Sequence, residues 1–213
     1  MNKFVLYLAG VFLSIFMLGS SVSFFSFNHS FYLYEFEKYD IYNEIDMDKN
    51  SVNDAASAII NFLSLKENTM DVSFNGVRYF NDKELSHMDD VKMIFSLLIY
   101  LTVFSFVFVF IALILSKNKD KFKNVLLGSW YFSGILVIVL GFMVFTDFTK
   151  YFIKFHHIFF TNDNWLLDPK TDRLIMMLPE GFFMDMTIGI VSLYLALNIV
   201  LFMLNKTFNS WRK

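Results

Sequence analysis

Four apolar runs, at residues 4–25, 91–116, 125–146 and 186–204, are separated by polar segments of very unequal length. A helix needs roughly 20 mostly apolar residues to cross the hydrocarbon core of a bilayer, so each run predicts a transmembrane helix. The first has only Asn2 and Lys3 as polar residues ahead of it. It is longer than the apolar core of a signal peptide and continues into Phe24 and Phe25, which predicts a retained anchor. In the third run Gly134 and Gly141 fall on one side of the helix, where small residues allow another helix to come close. Thr187, Ser192 and Asn198 of the fourth run are expected to bond neighbouring helices.

The polar segments divide by size and charge. Residues 26–90 hold thirteen Asp or Glu against five Lys or Arg, and their pattern predicts a small folded domain. Residues 31–37 are aromatic and partly alternating, which predicts a strand, and Asn75-Gly76 between two short β-prone runs predicts a hairpin. Ala55, Ala56, Ile59, Ile60 and Leu63 recur at helical spacing within residues 52–65, behind Ser51 as a candidate N-cap. Asn81 or Asp82 is placed to cap a helix that feeds directly into the second apolar run. The expected fold class is a polytopic α-helical membrane protein, with four transmembrane helices and a small α+β extracytoplasmic domain.

Charge supplies the orientation. Lys117, Lys119, Lys121 and Lys123 face a single Asp120 in the short segment 117–124; with Lys3, Lys206, Arg212 and Lys213 they make eight basic residues on one side. Short Lys-rich loops stay inside, which predicts cytoplasmic termini, a cytoplasmic tail at 205–213, and both long polar segments, 26–90 and 147–185, on the outer face of the cell membrane. Composition agrees: 56% of residues are hydrophobic and 20% aromatic, with a mean hydropathy of +0.49. The net charge of −2 leaves no basic footprint for nucleic acid. With no cysteine, thiolate nucleophiles, thiolate metal sites and disulfides are excluded.

Chemistry concentrates at the outer ends of the spans. Glu84, His87 and Asp90 recur every three residues near one helix face just ahead of the second span, and His156 and His157 follow the third. An imidazole titrates near neutrality, so facing histidines can serve as general base and electrophilic partner in acyl transfer. Taken singly, each also reads as an interfacial residue stacking on aromatic neighbours. A metal reading competes, because His87 and Asp90 with His156 or His157 offer nitrogen and oxygen ligands; no HExxH pattern supports it. Ser86 adjoins His87, but neighbours on a helix point about 100° apart and do not make a nucleophile–base pair. Trp165 reads as an interfacial anchor. Arg173 reads either as an ion-pair partner of Asp172, Asp168 or Glu180 or as a holder of an oxyanion or phosphate. Pro179 is expected to end a local helix before the last span.

The order of short motifs carries a resemblance. His87-Met88-Asp89-Asp90-Val91 leads into the second span. Phe155-His156-His157-Ile158-Phe159-Phe160 follows the third, then Trp165 with Asp168-Pro169, Thr171-Asp172 with Leu174-Ile175, and Pro179-Glu180 with Phe182-Phe183. With this pattern the chain resembles the lipoprotein intramolecular transacylase family (Lit) of Gram-positive bacteria, in outline over its whole length. The resemblance implies transfer of an acyl chain within the lipidated N-terminal cysteine of a lipoprotein, from the glyceryl sn-2 ester to the α-amine. It also implies catalytic histidines at His87 and His156, with His157 in reserve. Asp90, Trp165, Asp172 and Arg173 are the expected supporting or substrate-binding residues. Lipid-modified lipoproteins and membrane lipid are the expected partners, and the reaction calls for no cofactor and no metal. A non-catalytic membrane scaffold and a metal-dependent membrane hydrolase remain the alternatives.

Overall fold

The computed structural model describes residues 2–45, 47–74 and 76–210, the last four as backbone only. Among these described residues eight helices and one short hairpin follow in order: α1 (Lys3–Ser26), α2 (His29–Lys38), α3 (Ile41–Glu44), α4 (Lys49–Leu63), β1 (Ser73–Phe74), β2 (Val77–Arg78), α5 (Asp82–Leu115), α6 (Lys121–Phe159), α7 (Arg173–Met177) and α8 (Glu180–Ser210). Among the described residues, α1, α5, α6 and α8 are the four helices long and apolar enough to cross a membrane. The chain divides into two compact units, one of residues 1–23, 98–146 and 188–213, the other of residues 24–97 and 147–187.

The first unit is helix against helix. Leu6 and Ala9 of α1, Ala112 of α5 and Val125 of α6 form a buried cluster. Its tightest backbone-to-backbone approach involves glycines at other positions than the expected pair. A Cβ on Gly10 would fall 2.1 Å from the Val125 carbonyl oxygen, and one on Gly128 would fall 2.3 Å from that of Tyr7, whereas nothing lies within 4 Å of Gly134 or Gly141. Spacing within one helix identifies a face and says nothing about what opposes it. The polar residues of α8 divide differently as well. Thr187 and Asn198 donate to carbonyls one turn back on α8 itself, those of Phe183 and Tyr194. In the first unit the Tyr194 hydroxyl bonds across to Ser133 at 2.6 Å and to Ser14, and Ser14 meets Ser133 at 2.9 Å.

The second unit holds the polar segments. Residues 31–37, expected as a strand, lie in helix α2. The Asn28 side chain accepts from the Ser30 and Phe31 N–H groups, and burial of Tyr32, Glu35 and Phe36 marks a period of three to four residues. Against that pattern the aromatic content that favoured β structure is overridden. Helix α4 begins earlier than expected, with Asp48 rather than Ser51 as its cap; Asp48 accepts from Asn50 and Ser51 N–H. The hairpin is present but minimal, with Ser73 opposite Arg78 and Phe74 opposite Val77. Gly76 supplies a left-handed φ of 78° at its turn, while Asn75 lies outside the described residues. The expected α+β character of segment 26–90 thus reduces to three helices and two-residue strands.

Two further helices run through the segments that carry chemistry. Helix α5 is continuous from Asp82 into the second apolar run. Its start is a reciprocal capping box: Asn81 Oδ1 accepts from Glu84 N–H at 3.0 Å, and Glu84 Oε2 accepts from Asn81 N–H at 2.7 Å. Helix α6 leaves helical geometry at Asp147, where φ is −164°, and resumes to carry both histidines to its end. The expected loop at 147–185 is therefore largely helical, with α7 and the start of α8 around Leu178 and Pro179.

Candidate active site

Four polar contacts lay the chain after α6 along the first turns of α5. Asn162 Nδ2 donates to Asp90 Oδ2 at 2.8 Å, Asn164 Nδ2 to the Ser86 hydroxyl at 2.9 Å, Lys83 Nζ to the Leu166 carbonyl, and Asn81 Nδ2 to Asp172 Oδ1 at 2.8 Å. Partner numbers descend from 172 to 162 as α5 advances from 81 to 90, so this strap runs antiparallel to the helix. It covers His87, which is 7% exposed, and His156, which is 9% exposed.

The two imidazoles come together. Their ring centroids lie 6.0 Å apart at 33°. Phe160 packs on both, at 5.1 Å from His87 and 5.5 Å from His156, and Trp165 lies 4.8 Å from His156. His157 also meets Trp165, edge-on at 5.0 Å, and remains exposed. Trp165, expected as an interfacial anchor, therefore contacts both histidines of α6.

Protonation follows from the surroundings. His156 Nδ1 lies 2.7 Å from the Phe152 carbonyl, an acceptor only, so Nδ1 carries the proton and neutral His156 offers its lone pair at Nε2. His87 Nδ1 is buried without a hydrogen-bond partner among the described residues. Burial lowers the His87 pKa to about 4, with the His156 charge acting in the same direction and Asp90 opposing. Burial also lowers that of His156, against the pull of the Phe152 carbonyl. Both rings are neutral near pH 7.

Asp172 and Arg173 hold the frame. Asp172 is 4% exposed. Burial pushes its carboxyl up, but hydrogen bonds from Asp168 N–H, Thr171 and Asn81 outweigh this and the net shift is downward. Arg173 pairs with neither Asp172, Asp168 nor Glu180. Its guanidinium donates to the carbonyls of Tyr79, at 2.9 Å, and Arg78, at 3.2 Å, and lies 5.1 Å over the Tyr79 ring, clamping the hairpin exit. Glu84 has the role sequence reasoning left unassigned. It is 1% exposed, and while Oε2 closes the cap of α5, Oε1 accepts from Leu174 N–H at 2.6 Å and so joins α7 to α5. The sequence offers Asn81 or Asp82 as the cap; the reciprocal part played by Glu84 and its partner ninety residues away come only from the structure.

A cavity of about 400 Å³ surrounds Arg78, Asn81, Glu84 and Arg173, and neither imidazole lines it. A groove of about 270 Å³ lies beside the ring pair, and it includes Phe160. Among the described residues no three His, Asp or Glu side chains converge as a metal-ligand set. The arrangement can take a proton at His156 Nε2 and present a second neutral imidazole to a developing oxyanion.

Comparison with known proteins agrees with this fold. A membrane-integral lipoprotein intramolecular transacylase Lit from Bacillus cereus, solved in meso, is 26% identical, with a TM-score of 0.83 over 99% of this chain and 95% of that one. A variant of that protein with one histidine replaced by alanine matches at 23% identity and a TM-score of 0.75, over 99% and 93%, and speaks for the fold. A protein of Aquifex aeolicus (strain VF5) described as uncharacterized is 30% identical over 126 residues, 59% of this chain; the match spans 56% of that relative's length. The family profile of the lipoprotein intramolecular transacylase Lit matches residues 7–183, taking in both buried histidines and all five motifs. The chain is a multi-pass membrane protein and belongs to the lipoprotein intramolecular transacylase (Lit) family.

Proposed function

We propose that this protein moves the sn-2 acyl chain of a lipoprotein's diacylglyceryl-cysteine onto the α-amine of the same cysteine, giving the lyso-form. The observation that carries the reading is the buried ring pair, with one imidazole nitrogen of His156 committed to Phe152 and its other nitrogen free to act. The neutral amine nitrogen attacks the ester carbonyl. A C–N bond forms, His156 Nε2 takes the proton from the now acidic ammonium, and His87 stabilises the oxyanion. The C–O bond to the glyceryl sn-2 oxygen then breaks, and His156 returns the proton to that oxygen. Mass is unchanged, and no covalent enzyme intermediate forms.

An α-amine has a pKa of about 7.7–8, so a useful fraction is neutral at physiological pH. Donor and acceptor share one molecule; holding them together contributes on the order of 7 kcal/mol or more toward the barrier. Asp90, one turn beyond His87, is placed to attract the amine in its charged form, and Trp165 keeps the His156 ring in place. The termini are assigned to the cytoplasm and the site to the extracytoplasmic face, on the distribution of Lys and Arg.

The test is mass spectrometry of the N-terminal lipopeptide of a lipoprotein, made with and without this chain in a host that lacks other N-acylating enzymes. A species of unchanged mass with one acyl group on nitrogen supports the reading. An unmodified lipopeptide despite verified expression overturns it, and activity that persists in a His87→Ala, His156→Ala double variant would sink the assignment of the histidines.

A further inference from the structure

The groove beside the ring pair runs along α5, and its lining changes character along its length. Asp90, Thr161 and Asn162 make a polar end, closed by the Asn162–Asp90 hydrogen bond, while Met93, Ile94 and Leu97 of α5 meet Phe159 and Phe160 as an apolar channel. Ile94 is seven residues beyond His87 and therefore on nearly the same helix face, two turns further along α5. Phe160 belongs to both places: it packs on the two imidazoles and it lines the groove. Met93 and Leu97 are 64% and 67% exposed, so the channel is open along one side.

We propose that this groove holds the migrating acyl chain and measures its length, with Met93, Ile94 and Leu97 as the specificity-determining residues. The inference rests on the transacylase reading. Of the chains on a diacylglyceryl-cysteine, the migrating one begins at the carbonyl that must sit between the imidazoles. It is therefore the chain that must leave the ring pair past Phe160. An apolar channel starting at that ring suits an alkyl chain, and its polar end at Asp90 and Asn162 suits the amide and amine at the reacting end. The same alkyl chain is attached before and after transfer, so a groove that fits it need not release it during the reaction.

The experiment uses the purified full chain with synthetic diacylglyceryl-cysteine peptides that differ only in a short, medium or long sn-2 chain, and reads N-acyl product by mass spectrometry. Leu97→Trp and Met93→Trp add bulk at the open edge of the channel. Each is expected to shift the preference toward the short chain by about tenfold or more, since a methylene gained or lost in a fitted apolar site carries about 10-fold discrimination or more. His29→Ala, in the same unit but bonded to Ser57, serves as the control expected to keep the wild-type preference. An unchanged preference in both tryptophan variants overturns the groove proposal while leaving the transacylase reading intact. Equal loss with every chain length in both variants also counts against it. Absence of N-acyl product from the wild-type chain overturns the transacylase reading, and the groove proposal with it.

Discussion

Each unit buries a polar cluster, and the two are finished in opposite ways. In the first unit Ser14, Ser133 and Tyr194 close on one another, so each hydroxyl has a partner. In the second, Glu84 and Asp172 are as thoroughly bonded, but His87, one turn along α5 from Glu84, keeps a buried nitrogen with no partner among the described residues. Buried polar groups are normally satisfied because desolvating one without a partner costs about 1–3 kcal/mol. A closed cluster adds cohesion. An open one next to a second imidazole is what the proposed transfer would draw on.

That contrast can be broken at several points. The largest effect is expected from His156→Ala, which removes the proton carrier: transfer in the lipopeptide assay should fall about 10²–10⁴-fold, with the thermal midpoint in detergent nearly unchanged. Glu84→Ala should do the reverse, leaving the N–H groups of Asn81 and Leu174 without their acceptor and costing about 3 kcal/mol of stability, seen as a lower midpoint before any change in chain preference. Acidification tests His87 itself. Its folded pKa of about 4 lies below the ordinary 6.5, so between those values the unfolded chain binds a proton that the folded chain refuses. Stability should fall as pH drops through that window, and His87→Gln should flatten the fall in a pH series of unfolding curves. Glu35 opposes this trend. Burial, then the charge of Asp185, raises its carboxyl to about 7, so its contribution is present at low pH and lost as pH rises through neutrality; Glu35→Gln should raise the midpoint above pH 7. The smallest effect is expected from Tyr194→Phe, at about 1 kcal/mol and with no change in transfer rate.

Much of this was legible in the chain. Apolar runs long enough to span a bilayer are hard to read otherwise, and all four are helical. Asn81 or Asp82 announced the start of α5; placement at span ends grouped His87 with His156 and His157, and the choice of His156 came from the resemblance. Residues 31–37 misled because aromatic content favours strands, and the decisive signal was the Asn28 cap ahead of them. Gly134 and Gly141 misled because a helix face is encoded locally while its partner is not; Gly10 and Gly128 make the close contact. For the same reason Arg173 looked like half of an ion pair, although its partners are backbone carbonyls that no side-chain pattern reveals.

The hydrogen bond from His156 Nδ1 to Phe152 reaches beyond orientation. A ring with one nitrogen tied to its own helix has a single port, so a proton that enters at Nε2 must leave from Nε2. In the proposed reaction the proton lost by the amine is the proton gained by the glyceryl oxygen, and none need be exchanged with solvent. The catalyst ends each turnover in the tautomer in which it began. For a buried ring pair, that would make the proposed chemistry self-contained: an isomerisation that consumes nothing from water and leaves nothing to reset.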